Sequence, residues 1–198
     1  MQGEILVCEI KGSRVRIRPL SHEDVIEMKN WGKHDDPLFK DYNFPNLTDD
    51  EILSWYKYRT SKKRTRCFSV LDEKNKVVGY ISIRNIRKIM RTARLGIVFN
   101  PDVINKGYGS EAIMSVLDYY FHDMKMNTLY LDVAKFNKRA IRCYEKCGFK
   151  IVRQYQSKHS SLMGEVYEEG SALWNEEFFT IRNSIAYCKY YEMNIQKT

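Results

Sequence analysis

The sequence predicts a mixed α/β fold, with a central twisted sheet of about six to seven strands flanked by about four helices, in one domain over residues 1–198. Three observations predict it. Short β-favouring runs separated by polar turns fill the first half, which reads as an antiparallel meander. After Pro101 the apolar spacing lengthens from two to nearly four, and strands then alternate with helices, the pattern of crossovers onto a parallel sheet. A final β-favouring run, Tyr187 to Ile195, returns after a stretch (156–186) to which the sequence assigns no structure, and closes the sheet.

Each element has a local reason. Val15 and Ile17 alternate with Arg14, Arg16 and Arg18 up to Pro19, a short strand. Ser21-His22-Glu23-Asp24 opens a helix that continues through Val25, Ile26 and Met28 towards Gly32, and Thr48-Asp49-Asp50-Glu51 is a capping box leading into Ile52, Leu53, Trp55 and Tyr56. Cys67 to Leu71 and Val77 to Ile86, joined by Asp72-Glu73-Lys74-Asn75-Lys76, read as a hairpin, and Ala93 to Phe99 extends it. In that third run Ala93, Leu95, Ile97 and Phe99 share one face. Ala112, Ile113, Val116, Leu117, Tyr120 and Phe121 form a helical stripe; Leu129, Leu131 and Val133 alternate as a strand. A helix from Asn137 to Cys147 follows, with Asn137 as N-cap and Gly148 as its stop, and Phe149 to Tyr155 is the next strand.

Composition narrows the class. With 43% hydrophobic and 29% charged residues, 10 Gly and 4 Pro, the chain is neither collagen-like nor intrinsically disordered. No run of apolar residues is long enough to span a bilayer, so no membrane association is expected. The net charge of +8 is dispersed over the chain, with small clusters at Lys62-Lys63-Arg64 and Arg87-Lys88 that read as solvated faces and not as a nucleic-acid footprint. Cys8, Cys67, Cys143, Cys147 and Cys188 contain no C-x-x-C pair and imply neither disulfides nor a metal site, which fits a reducing, cytoplasmic setting. Cys143 and Cys147, four apart, share a helical face.

The sharpest motif is Asn105-Lys106-Gly107-Tyr108-Gly109-Ser110, between the strand ending at Phe99 and the striped helix. A helix start presents unpaired N–H groups and the positive end of the macrodipole, and glycines allow a phosphate to approach closely. It is an anion cradle. It is not a P-loop, because no G-K-[ST] follows, and Ala112 breaks the G-x-G-x-x-G pattern.

Downstream stands Asn137-Lys138-Arg139-Ala140-Ile141-Arg142-Cys143-Tyr144-Glu145-Lys146-Cys147-Gly148-Phe149. Together the two segments resemble the GCN5-related N-acetyltransferase (GNAT) superfamily, whose loop looks like [QR]-x-x-G-x-[GA] and whose later helix looks like N-x-x-A-x-x-x-Y-E-K-x-G-F. Tyr42-Asn43-Phe44-Pro45 and the Lys-Gly-Tyr-Gly loop look most like the branch that acetylates ribosomal-protein N-termini and assorted small amines.

The resemblance implies the acyl-CoA N-acyltransferase fold and a direct transfer of acetyl from acetyl-CoA to a small-molecule amine or a peptide N-terminus, by a monomer or homodimer. It implies that pantetheine pairs along Ile97, Val98 and Phe99, that the pyrophosphate rests on the amides of Asn105, Lys106, Gly107, Tyr108, Gly109 and Ser110, and that Asn137 lies near the pantetheine or the reacting centre. It also implies Tyr144 as the candidate proton donor to the departing thiolate. Many relatives carry a Glu base where this chain has Arg94, and an arginine cannot act as a base at neutral pH. Asp132, Glu165, Glu168 and Glu169 stand as alternatives. Ile104 replaces the usual Gln or Arg of the loop, with Lys106 placed to compensate. These two departures motivate an alternative, a catalytically impaired CoA-binding sensor. Six acids between Lys33 and Glu51 (Asp35, Asp36, Asp41, Asp49, Asp50, Glu51), and glutamates 165, 168, 169, 176 and 177, suggest a rim selecting a cationic acceptor. Trp31, Tyr42, Phe44, Trp55 and Trp174 either line that pocket or fill core.

Overall fold

The computed structural model describes residues 9–158, 174–183 and 185–197; Cys8, Glu165, Glu168 and Glu169 lie outside them. Two short strands, β1 (Ile10–Lys11) and β2 (Arg16–Pro19), precede helices α1 (His22–Met28) and α2 (Asp49–Thr60). Both helices start on the capping boxes read from the sequence: Ser21 and Asp24 exchange side chain-to-backbone bonds, as do Thr48 and Glu51. Between them Pro37–Tyr42 winds into a 3₁₀ turn started by Asp36, whose carboxylate accepts from the Leu38 amide at 2.9 Å.

The meander follows as β3 (Arg66–Leu71), β4 (Val77–Arg87) and β5 (Thr92–Phe99), and then α3 (Tyr108–Asp118), β6 (Thr128–Ala134), α4 (Lys138–Lys146) and β7 (Lys150–Lys158). The stripe continues beyond α3, but Tyr120 and Phe121 fall in a π-helical turn, Tyr119–Asp123. Two last strands, β8 (Phe179–Arg182) and β9 (Ile185–Gln196), complete a sheet ordered β1-β2-β3-β4-β5-β6-β9-β7, with β8 beside β9. Among the described residues, nine strands therefore replace the expected six or seven, the additions being β1 and β8.

The closing strand does not sit where chain order places it. β9 pairs antiparallel with β6 from Thr128↔Gln196 to Ala134↔Tyr190 and, on its other edge, with β7 from Lys150↔Asn194 to Lys158↔Tyr187. It is inserted between the two strands that the reading made neighbours. Its length of 12 residues lets it satisfy both, and β7, with exposed residues along most of its length, becomes the edge.

α3 and α4 cover one face of the sheet over Ile81, Ile83, Leu95, Leu129, Leu131 and Phe149, while α1 and α2 bury Val25, Met28, Trp31 and Ile52 against the other. Each fully buried Ile, Leu or Met side chain in these cores is worth about 1.5–3 kcal/mol. Gly148, at φ 92°, ends α4 in the left-handed conformation that glycine adopts without strain. Among the described residues, no helix is long and apolar enough to cross a membrane.

Candidate active site

The decisive feature is a failure of pairing. β5 and β6 are parallel neighbours for three residue pairs, Thr92↔Thr128, Ala93↔Leu129 and Arg94↔Tyr130, and no further. β5 stays bonded to β4 as far as Gly79↔Phe99, and β6 to β9 as far as Ala134↔Tyr190, so each strand keeps its outer partner while the two diverge. Main-chain groups of the segment from Leu95 to Phe99 on the β6 side are left without a strand partner, and an extended ligand can supply one.

That opening leads into a cleft of about 360 Å³, within the range of small-molecule sites. Ile97, Val98 and Phe99 line one wall; Asn105, Gly107, Tyr108, Gly109 and Ser110 form the end; Asn137, Ala140, Cys143 and Tyr144 form the α4 side. The structure thus brings together Tyr144, Asn137 and every residue assigned to the cofactor except Lys106, which is exposed outside the cleft lining. Lys106 contributes its carbonyl, which accepts from Arg14 Nη1 at 3.1 Å. Ile104 does line the cleft. Positive charge comes instead from Arg139, Arg142 and Lys146, three α4 residues that border the same cavity and that sequence reasoning did not single out. Their spacing of three and four on a helix whose other face is buried was the available signal.

The end of the cleft presents the free amides of a helix start. Gly107 is the N-cap of α3, has φ 88° and offers no capping side chain, so no N-cap bond consumes the first amides of the helix. Asn105 is also left-handed, with φ 65°. Glu111, in the first turn, accepts from the Arg14 and Val15 amides at 2.5 and 3.2 Å and so ties this helix start to the approach of β2.

Asn137 does two things at once. Its Oδ1 accepts from the Ala140 amide at 3.1 Å, capping α4, and its side chain also bonds the Tyr42 hydroxyl. It is nevertheless 5% exposed and lines the cleft. Burial pushes the Tyr42 hydroxyl above its usual pKa, partly opposed by that Asn137 bond. Tyr144 is enclosed as well; burial, and then the proximity of Tyr42, hold it well above an ordinary tyrosine, so the phenol is protonated at any physiological pH.

The family model for an acetyltransferase (GNAT) domain matches residues 14–150, more than half of the chain. The chain belongs to this family. It is an acetyl-CoA-dependent N-acetyltransferase, with acetyl-CoA as the co-substrate. It is 28% identical over 137 residues to spermidine N(1)-acetyltransferase of Vibrio cholerae, covering 69% of this chain and 79% of that protein, and 27% identical to the Escherichia coli K12 enzyme of the same name, covering 69% and 73%. Among solved structures, the Vibrio cholerae spermidine N-acetyltransferase in complex with CoA and spermine superposes with a TM-score of 0.65 at 24% identity, over 93% of this chain and 96% of that one.

The positions offered for the catalytic base fare differently in this acetyltransferase. Asp132 is outside the cleft lining and both oxygens are engaged, Oδ2 with Arg94 Nη1 at 2.5 Å and Oδ1 with the Tyr155 hydroxyl at 2.9 Å. Arg94 also reaches Glu192, which in turn pairs with Arg153 Nε at 3.4 Å. Arg94 is therefore a tie across β5, β6, β9 and β7. A residue the sequence reading passed over, His34, lines the cleft mouth beside Arg139. Its ring packs on Phe39 with centroids 5.4 Å apart, and its backbone amide donates to Asn43 Oδ1 at 2.7 Å. Burial first, and then the Arg139 charge, lower its pKa from 6.5, against the opposite pull of Asp36 and Asp35, so the imidazole is neutral at pH 7.

Several of the acids counted from the sequence have local duties. Asp49 pairs with Lys29 at 3.0 Å, Glu51 closes its capping box, and Glu177 pairs with Lys138 at 2.9 Å. Of the aromatics, Trp31, Phe44 and Trp55 pack together in the core beneath α1 and α2, Trp174 stacks near Phe179, and Tyr42 reaches the cleft.

Proposed function

We propose that this acetyltransferase acetylates a primary amine of a polyamine, with Tyr144, His34 and the α3 amides in the roles the cleft supports. The observation that carries the reading is the parting of β5 from β6 above an uncapped helix start: it offers an extended pantetheine a strand edge and its pyrophosphate a cradle in one continuous cavity. Ile97, Val98 and Phe99 hold the arm, and the amides of Asn105 to Ser110, with Arg139, Arg142 and Lys146 near them, hold the phosphates.

An ammonium has no lone pair, so the acceptor must lose a proton before or as its nitrogen bonds to the thioester carbon. His34, neutral and at the mouth, takes that proton. The C–S bond then breaks, and Tyr144 gives its proton to the departing sulfur and regains one from solvent. A backbone N–H of Val98 or Phe99 stabilises the oxyanion in between.

The polyamine assignment rests on the names of the relatives together with Asp35 and Asp36, adjacent to His34 in sequence and felt by it electrostatically. It replaces the ribosomal-protein expectation. Of the motif behind that expectation, Phe44 packs between Trp31 and Trp55 at centroid distances of 6.2 and 5.7 Å, which is a core duty. Thiol release from acetyl-CoA, measured with spermidine, spermine, an aminoglycoside and peptides with free N-termini, tests the assignment. Saturable turnover with the polyamines and little with the others supports it; preference for a peptide or aminoglycoside overturns it.

A further inference from the structure

Cys143 is the residue of the cleft that the proposed chemistry does not use. Of the free cysteines among the described residues, Cys67, Cys147 and Cys188 are buried and Cys143 is not; it lines the cavity next to the helix start assigned above to the diphosphate. Its Sγ lies 3.3 Å from Ser110 Oγ, and a Cβ added at Gly109 would stand 3.9 Å from it. Cys147, one turn further along the chain, donates its thiol proton to the Ser110 carbonyl at 3.7 Å.

We infer that Cys143 is a reversible covalent modification site, at which thiol–disulfide exchange with a low-molecular-weight disulfide blocks the cofactor cleft. The Cys143 thiolate attacks one sulfur of the disulfide, a new S–S bond forms as the old one breaks, and the leaving thiolate takes up a proton from solvent. The adduct projects into the space of the diphosphate. Excess free thiol reverses the exchange by attacking Cys143 Sγ or its partner sulfur.

The site has the features of an activated thiol. The neighbouring Cys147 thiol is the main influence drawing the Cys143 pKa below its usual range; burial opposes it, and Ser110, whose hydroxyl lies 3.3 Å away, Lys146 and Arg139 reinforce it. The start of α3 adds the positive end of a helix dipole. Cys147, in contrast, is buried and pushed upward by the neighbouring Cys143 and by that burial, so the two thiols are unequal.

The blocking effect rests on the cofactor reading; the reactivity does not, and the experiment separates them. The folded protein is treated with glutathione disulfide or, in parallel, with iodoacetamide, and modification of each cysteine is followed by peptide mass spectrometry. Cys143 is expected to react about tenfold or more faster than Cys67, Cys147 and Cys188. Saturating CoA should slow its modification, and acetyl transfer should fall with the adduct and return on addition of dithiothreitol. The Cys143→Ser protein, normalised to its own untreated rate, should be insensitive to the disulfide. Equal reactivity of Cys143 and the buried cysteines in a protein that binds CoA by calorimetry overturns the inference and leaves the cofactor reading intact. Fast modification of Cys143 with neither protection by CoA nor loss of activity overturns the blocking step and counts against the placement of the diphosphate.

Discussion

Replacing Tyr144 with phenylalanine removes one hydroxyl from a position that is 8% exposed and leaves the ring against Phe149, 6.0 Å away between centroids. The change is nearly isosteric, so a stability loss within about 1 kcal/mol is expected, or roughly 2–4 °C in Tm for a chain of this size. The chemical effect should be far larger. Burial keeps the phenol protonated through the assay range, so every enzyme molecule carries the donor; without it the sulfur must leave as a thiolate in a poorly hydrated cleft. Loss of general acid catalysis costs about 10²–10⁴ in rate, and each tenfold is 1.36 kcal/mol of barrier, which makes about 3 kcal/mol the smallest loss consistent with the role. Thiol release at saturating acetyl-CoA and acceptor gives kcat, and calorimetry gives the CoA dissociation constant. The expected result is kcat down at least about a hundredfold, CoA affinity within a factor of about three, and no descending limb from Tyr144 in the wild-type profile below about pH 10. A Tyr144→Phe enzyme with wild-type kcat refutes the assignment, and one that loses CoA affinity and kcat together shows a packing role instead.

The double duty of Asn137 separates under two substitutions. Asn137→Ala removes the α4 cap and should cost about 1 kcal/mol in thermal or urea unfolding, whereas Asn137→Ser keeps a capping oxygen but cannot span to Tyr42; both should lose kcat, and unimpaired turnover in the Ser variant would leave Asn137 as a cap alone. For His34, the neutral form is the active one and its pKa lies below 6.5, so kcat should rise with pH in the acid range and level off by neutrality; His34→Gln should lower the plateau and abolish that limb, and an unaltered profile would exclude His34 as proton acceptor. Gly107→Val forces a β-branched residue to φ 88° and brings its Cβ within 2.9 Å of Arg14 Nη2, a strain of about 1–3 kcal/mol at the cradle; CoA affinity measured by calorimetry should fall at least tenfold, and undiminished binding would put the diphosphate elsewhere. Arg94→Glu, which restores the carboxylate common in relatives, should not raise activity: it places a third acid beside Asp132 and Glu192 and should cost about 2 kcal/mol or more in unfolding free energy, while a gain in kcat would show that the base belongs on β5.

What the sequence made legible was whatever depends on near neighbours. Capping boxes at Ser21 and Thr48, the stripe of α3, Asn137 as a cap and Gly148 as a stop are all decided within a few residues, and the structure has each of them. The uncapped start of α3 was readable for the same reason, since a helix start preceded by glycine advertises its own free amides. Strand adjacency is not local. The insertion of β9 between β6 and β7 follows from which pair of edges a 12-residue strand can satisfy, a contest that no window of sequence contains. His34 was invisible for a similar reason. It sits in a polar stretch between Trp31 and Pro37 with no periodicity, and its place at the mouth depends on Phe39 and Arg139, the latter more than a hundred positions away.

Arg94 joins these observations into one account of where the proton acceptor can be. It occupies the last residue pair before β5 and β6 part, and its guanidinium grips Asp132 on β6 and Glu192 on β9, with Arg153 of β7 drawn in through Glu192. The crotch of the opening is thereby fixed by charge, on strands whose main chains have ceased to bond to one another. A carboxylate base at this position would remove the cation that binds these acids and add to the repulsion they already exert. With Asp132 and Glu192 engaged by Arg94, the loop after α1 offers the neutral imidazole of His34, which lines the same cavity as Tyr144. The ion pairs that engage Asp132 and Glu192 at Arg94 are thus the reason to test His34 as the proton acceptor.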